Sequence, residues 1–157
     1  MSLEANSPTR PVSTVSAAAL ARARRGSLAV LALAVAEYGI GMYVNLYATI
    51  PRSDHGHGLG TAISNGPAVL SVHAVLGLLL GLGALAVLVQ AVIARHPGVI
   101  AASAAGLVAL AFASVTGASF TSSANTADSM GMSILTGVAL LCYAANLYLL
   151  HPPGQRR

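Results

Sequence analysis

Glu37 and His73 are the residues whose chemistry asks for an explanation, because each interrupts a long apolar stretch. Glu37 lies about nine residues in from Leu28, a helical rise of roughly 14 Å and close to the middle of a ~30 Å hydrocarbon layer. An ionisable group at that depth is expensive and marks a functional site by default. Its carboxyl suits a proton relay, or the polar end of a quinone or substrate site. The plainer alternative is a neutral acid that holds two helices together. His73 is the only histidine inside an apolar segment. Its Nε2 can ligate the iron of a b-type haem, with Gly77 and Gly81 making room for the ring. A second axial ligand would then be needed, and Met42 and Met132 are the only substitutes within the segments. The plainer role for His73 is a hydrogen bond to Asn45 or Thr136.

A second constellation is His55-Gly56-His57, preceded by Asp54, with Met130 and Met132 expected on the same side. Imidazole and thioether together suit copper, and thioethers favour the reduced ion. A pair of histidines in a Gly-rich loop is equally an ordinary solvated loop. No phosphate-binding loop, dinucleotide fingerprint, nucleophile elbow or H-E-x-x-H motif is present, so soluble-enzyme chemistry and a catalytic residue are not expected. The baseline expectation is no cofactor, with haem b and copper as the two exceptions.

The elements that must position these groups are set by composition. The chain has 157 residues, 55% hydrophobic and 8% charged, against about 25% charged in a soluble domain. A single cysteine, Cys142, excludes a disulfide framework. The formal charge of +4 comes from eight arginines beside apolar spans, which reads as membrane topology and not as a nucleic-acid surface. Residues 1–26 are polar and rich in Ser, Ala and Pro, and are expected to form a disordered or loosely helical tail. Four segments long enough to span follow, at 27–50, 67–94, 99–120 and 129–150, and 151–157 form a short tail.

The breaks have their own chemistry. Pro51 closes the first span and Pro67 suits the first turn of the second. Arg95-His96-Pro97-Gly98 is a tight turn, and Asp128 or Ser129 can cap the fourth span. Seven arginines fall on one side (10, 22, 24, 25, 95, 156, 157) and only Arg52 on the other. That asymmetry predicts a multi-pass plasma-membrane protein with both termini cytoplasmic. Arg24-Arg25 followed by an apolar run and Ala34-Val35-Ala36 also resembles a secretory signal. The run continues to Ile50, however, which is too long for one.

Helical spacing puts the polar residues of each span on its small-residue face. Glu37 falls with Ala34, Gly41 and Ala48, and His73 with Gly77, Gly81, Ala84 and Ala91. Ser103, Gly106, Ser114 and Gly117 align in the third span, and Ser129, Ser133, Thr136, Tyr143 and Ala144 in the fourth. Spans associate through such faces because lipid tails are as apolar as leucine. Counting rise from the loop ends, Asn45, His73, Ser114, Thr116, Ser133 and Thr136 form one layer roughly 6–10 Å below the outer surface. Glu37 and Tyr143 form another at roughly 20 Å. On this count Glu37 and His73 do not touch, and Glu37 bonds to Tyr143 or to a backbone carbonyl.

Glu37-x-x-x-Gly41-Met42-Tyr43-x-Asn45-Leu46-Tyr47, His73-x-x-Leu76-Gly77 and Asn125 ahead of Ser129-Met130 resemble a family of uncharacterised four-span bacterial small integral membrane proteins, over residues 28–150. The resemblance implies an all-α fold and no particular activity. His73 followed by Leu76-Gly77 is also similar to four-helix b-type membrane cytochromes, but the paired histidines those use are missing. The expectation is a four-helix transmembrane bundle, up-down-up-down, both termini on one side. Its expected role is a non-catalytic binding, accessory or assembly subunit with an inward polar pocket near the outer face. The pocket residues would be Glu37, Asn45, His73, Ser114, Ser133, Thr136 and Tyr143. A haem- or quinone-linked redox or proton-handling subunit is the alternative, and a small proton-coupled transporter a third. The lipid bilayer is the expected partner, with a membrane-protein partner or a second copy beside it.

Overall fold

A computed structural model describes residues 14–47, 58–123 and 125–151. Its elements are α1 (Thr14–Tyr47), α2 (Gly58–Asn65), α3 (Ala68–Ile93), α4 (Pro97–Ser123) and α5 (Thr126–Leu149), with no strand among the described residues. Four of them, α1, α3, α4 and α5, are long and apolar enough to cross a membrane. The protein is therefore an all-helical bundle of membrane-spanning type. α1 packs on α3 and α5, and α4 packs on α3 and α5, so the four helices form a ring with α1 diagonal to α4.

α1 begins at Thr14, well before the span expected from Ser27. The sequence looked like a tail there because polar arginines outnumber large apolar residues. What buries this segment is alanine: Ala19 and Ala23 are fully buried. They start a seam that continues through Ser27, Val30, Ala34, Glu37, Gly41 and Val44. From Ser27 onward its steps alternate between three and four residues, the spacing of left-handed helix packing. At 34 residues, α1 is about 51 Å long and exceeds the ~30 Å hydrocarbon thickness.

Facing residues fix the direction of neighbouring helices. A Cβ on Gly26 would meet Val87, on Gly83 Val30, on Gly77 Glu37 and on Gly41 His73. As α1 ascends its partners on α3 descend, so the two run antiparallel. The same holds for α4 and α5, where Gly98 faces Leu149, Gly106 faces Tyr143 and Gly117 faces Met132. One end of the bundle, where α1 closes and α3 opens, is called here the Tyr47 end; the other is the Arg24 end.

The helix ends follow from local chemistry. α3 stops in a Schellman arrangement: His96 N–H donates to the Ala91 carbonyl at 3.3 Å and Arg95 N–H to that of Val92 at 3.0 Å. Arg95 takes the left-handed conformation this requires, φ 54°, in a position that usually holds glycine. α4 starts at Pro97, and His96 Nδ1 accepts from the Val99 N–H at 3.3 Å. The N-cap of α5 is Asn125, whose side chain accepts from Ala127 N–H at 3.0 Å. The sequence had suggested Asp128 or Ser129. Asp128 instead sits in the first turn, where the helix dipole favours a carboxylate. α2, absent from the sequence expectation, lies in the Gly-rich link before α3. It is tied there by the Ser71 hydroxyl, which donates to the Ile63 carbonyl at 3.0 Å.

Candidate functional site

The site is built where α1 and α3 cross. Gly41 and Gly77 leave two notches, and each receives a side chain of the opposite helix. The imidazole of His73 lies over Gly41, where a Cβ would stand 3.1 Å from Cε1. The carboxyl of Glu37 lies over Gly77, where a Cβ would stand 3.2 Å from Oε1. Glu37 and Gly41 are one turn apart on α1, and His73 and Gly77 one turn apart on α3. The two polar groups therefore fill adjacent notches and meet between them: His73 Nδ1 is 2.8 Å from Glu37 Oε1.

This overturns the expectation that Glu37 and His73 lie at separate heights. That expectation measured depth from each loop end, Ile50 and Pro67. The helix register is set instead by the glycine notches, and side-chain reach closes the one-turn stagger of about 6 Å. The expected bond from Glu37 to Tyr143 is also not made. Glu37 Oε2 and the Tyr143 hydroxyl are both buried without a hydrogen-bond partner. The Nδ1–Oε1 approach has the distance of an ion pair but lacks the alignment of a full hydrogen bond. Pairing with each other, and shelter between two helices, is what makes such groups tolerable in hydrocarbon.

Around the pair is a cleft of about 530 Å³ that separates α1 and α3 from α4 and α5. Glu37, Asn45, His73, Ser114, Ser133 and Thr136 all line it. Tyr143 does not; its ring is buried against Gly106, closer to the Arg24 end. The hydroxyls are committed as donors to their own helices: Ser114 to the Leu110 carbonyl at 2.9 Å, Ser133 to Ser129 at 3.0 Å, Thr136 to Met132 at 2.8 Å. They therefore offer the cleft only acceptor lone pairs. A direct His73–Thr136 hydrogen bond is not made. Apart from Tyr38 and Thr121 the remaining lining is apolar, chiefly leucines, alanines and the glycines 41, 77, 81 and 117. Exposed Leu78, Leu82 and Met42 stand at its rim, so it reaches the surface that lipid would cover.

Other expected residues are placed differently. His55 and His57 lie outside the described residues. Met130 is 64% exposed whereas Met132 faces Gly117 and the cleft. Two positions apart on one helix, they present opposite sides and do not converge. Among the described residues no group of three metal-binding side chains assembles. Met42 and Met132, the two thioethers considered for haem, both line the same cleft as His73.

The sequence does not single out Asn146, which is fully buried and whose amide donates to Ser103 Oγ at 2.9 Å. It had placed Ala144 on the buried face, but Ala144 is exposed. The signal was present in the spacing: Ala139, Tyr143 and Asn146 step by four and three, as the α1 seam does. Gly77 receives Glu37, and a Cβ on Gly81 would meet nothing within 4 Å.

No family model, no curated protein and no solved structure matches this chain.

Proposed function

We propose that this chain is a non-catalytic membrane protein that binds a small lipid-soluble molecule in the cleft, entering sideways from the bilayer. The observation that carries the reading is the Glu37–His73 contact on the wall of a mostly apolar cleft of about 530 Å³. Ligand sites are typically concave and apolar, with a few polar groups that fix orientation, in the range of roughly 300–1,000 Å³. Here Glu37 Oε2 has no partner and the committed hydroxyls accept only. The polar end of the ligand should therefore carry a hydrogen-bond donor, such as a hydroxyl or an amine. The arginine asymmetry supports placing both termini in the cytoplasm and the cleft toward the opposite face.

The test uses Gly81→Leu, which places a side chain in open space on the cleft wall. Wild type and variant are purified in mild detergent and their organic extracts compared by mass spectrometry. A small amphiphile carried by wild type and missing from the variant is expected. Equal extracts from two equally helical proteins would refute the reading.

A redox or proton-handling role is the second reading, and the same contact favours it. An imidazole whose Nδ1 faces a carboxylate has its Nε2 oriented as a ligand or proton donor, as in many histidine–metal sites. An absorption spectrum of the reduced protein tests haem directly, and a featureless visible region would remove it.

A further inference from the structure

A second pocket, of about 380 Å³, lies at the Arg24 end between α1 and α5 and is lined by Arg24, Arg25, Leu28, Leu147 and His151. We propose that it is a binding site for an anionic phospholipid, with the phosphate held by Arg24, Arg25 and His151. This site is separate from the cleft and independent of what the cleft binds.

Three observations converge. The first is uncompensated charge. The only carboxylates among the described residues are Glu37 and Asp128. Glu37 is engaged with His73, and Asp128 lies at the start of α5, the far end of the bundle. Two adjacent guanidinium groups and an imidazole thus face one recess without an acid from the described protein. Guanidinium groups match phosphate oxygens in a bidentate fork.

The second is the order of residues along the helix axes. Leu28 is one turn inside Arg24 on α1, and Leu147 one turn inside His151 at the end of α5. On both walls the basic group comes first and the apolar group follows in the direction of the hydrocarbon. A phospholipid has this sequence of parts, headgroup then chain, whereas free phosphate has no use for the leucines. Leu28 is 58% exposed and available to a chain.

The third is depth. Arg24 is thirteen residues before Glu37, a rise of roughly 20 Å, which places it at the boundary of the layer that has Glu37 near its middle. Basic recesses between spanning helices at that level are where anionic headgroups bind.

The experiment is native mass spectrometry of the detergent-solubilised full chain, with phosphatidylglycerol or phosphatidylcholine added at matched concentration. Wild type is expected to retain phosphatidylglycerol selectively. Arg24→Gln/Arg25→Gln should weaken that retention roughly thirtyfold, from about a factor of five per arginine near a membrane surface. Arg95→Gln removes a charge at the same end of the bundle but outside the pocket, so it should retain the lipid as wild type does. His151→Gln, just past the C-terminal end of α5, should weaken retention by a smaller factor. Equal retention of both lipids would overturn the proposal, as would unchanged retention in the double variant. So would equal losses in Arg95→Gln and the double variant, which would reduce the effect to general positive charge. Release of the lipid by inorganic phosphate at constant ionic strength, with no dependence on acyl chains, would also overturn it and assign the recess to free phosphate.

Discussion

The two ends of this bundle contain the same four helices and solve the same packing problem in opposite ways. Toward the Arg24 end the interior is closed. The Tyr143 ring lies on Gly106, Asn146 donates to Ser103, and Val30, Leu80, Ala84 and Val87 complete one buried cluster. Toward the Tyr47 end the α1–α3 pair still closes on itself, through Glu37, His73, Val44 and Leu70. The α4–α5 pair stands off from it and leaves the cleft. Polarity does not distinguish the two, since buried unpartnered polar atoms occur in both. Side-chain volume does. The fully buried Tyr143 ring fills one end; at the other no described aromatic ring is fully buried, and Gly77, Gly81 and Gly117 line the gap.

The largest expected effect breaks the closed end. A Cβ on Gly106 would lie 2.8 Å from Tyr143 Cε2 and 3.2 Å from Cβ of Cys142. A fully buried ring cannot yield as a flexible chain end would. Gly106→Ala should therefore lower stability by about 3 kcal/mol, the upper part of the range for overpacking. Titration of helicity with a denaturing detergent measures it. A loss no greater than that of Gly81→Leu would show that the closed end is looser than its contacts imply.

Next comes the pair itself. Glu37→Leu leaves His73 without its carboxylate, and His73→Leu leaves the carboxyl beside a hydrocarbon side chain. Each single change is expected to destabilise by about 2 kcal/mol, because an orphaned polar group bears its full desolvation penalty. The double change Glu37→Leu/His73→Leu removes both groups and should recover most of that loss while abolishing ligand retention. Additive losses in the double variant would mean that the two side chains act independently, and the contact would then be incidental.

A smaller structural effect with a large functional one is expected from Gly81→Leu. The added side chain enters space and not a neighbour, so stability should change by less than about 1 kcal/mol. Retention of the amphiphile should fall at least tenfold. Such dissociation of folding from binding separates a ligand site from a packing flaw.

What the sequence made legible follows from which quantities are local. The four spans were readable because an apolar run of the right length is a property of one segment. The candidacy of Glu37 and His73 was readable because a charge in such a run is conspicuous wherever its partner lies. Their contact was not. It depends on the register between α1 and α3, which Gly41 and Gly77 set through what they lack, and a missing side chain says nothing about its partner. The cleft was hidden for a related reason. Its volume is a sum of small deficits on facing helices, at Gly77 and Gly81 on α3 and Ala113 and Gly117 on α4, and no single helix reveals it. Ala19 and Ala23 were lost among arginines because alanine can bury completely while contributing little to hydropathy.

The smallest effect concerns how each end is tied. At the Tyr47 end, α1 and α3 are joined by residues 48–67, which include α2. At the Arg24 end, α3 and α4 are joined by only Ala94, Arg95 and His96. That short turn is possible because Arg95 adopts φ 54°, a conformation that costs an L-residue about 1–2 kcal/mol and glycine almost nothing. Arg95 is exposed, so replacing it removes strain and no buried contact. Part of the gain is offset by the greater freedom of glycine in the unfolded chain. Arg95→Gly should therefore raise stability by about 1 kcal/mol in the same detergent titration, and leave the amphiphile bound. Because the turn belongs to the closed end, tightening it should not propagate to a cleft whose walls are set by glycines farther along the helices. Loss of ligand in Arg95→Gly would mean that the two ends are mechanically coupled, and that the closed end holds the cleft open.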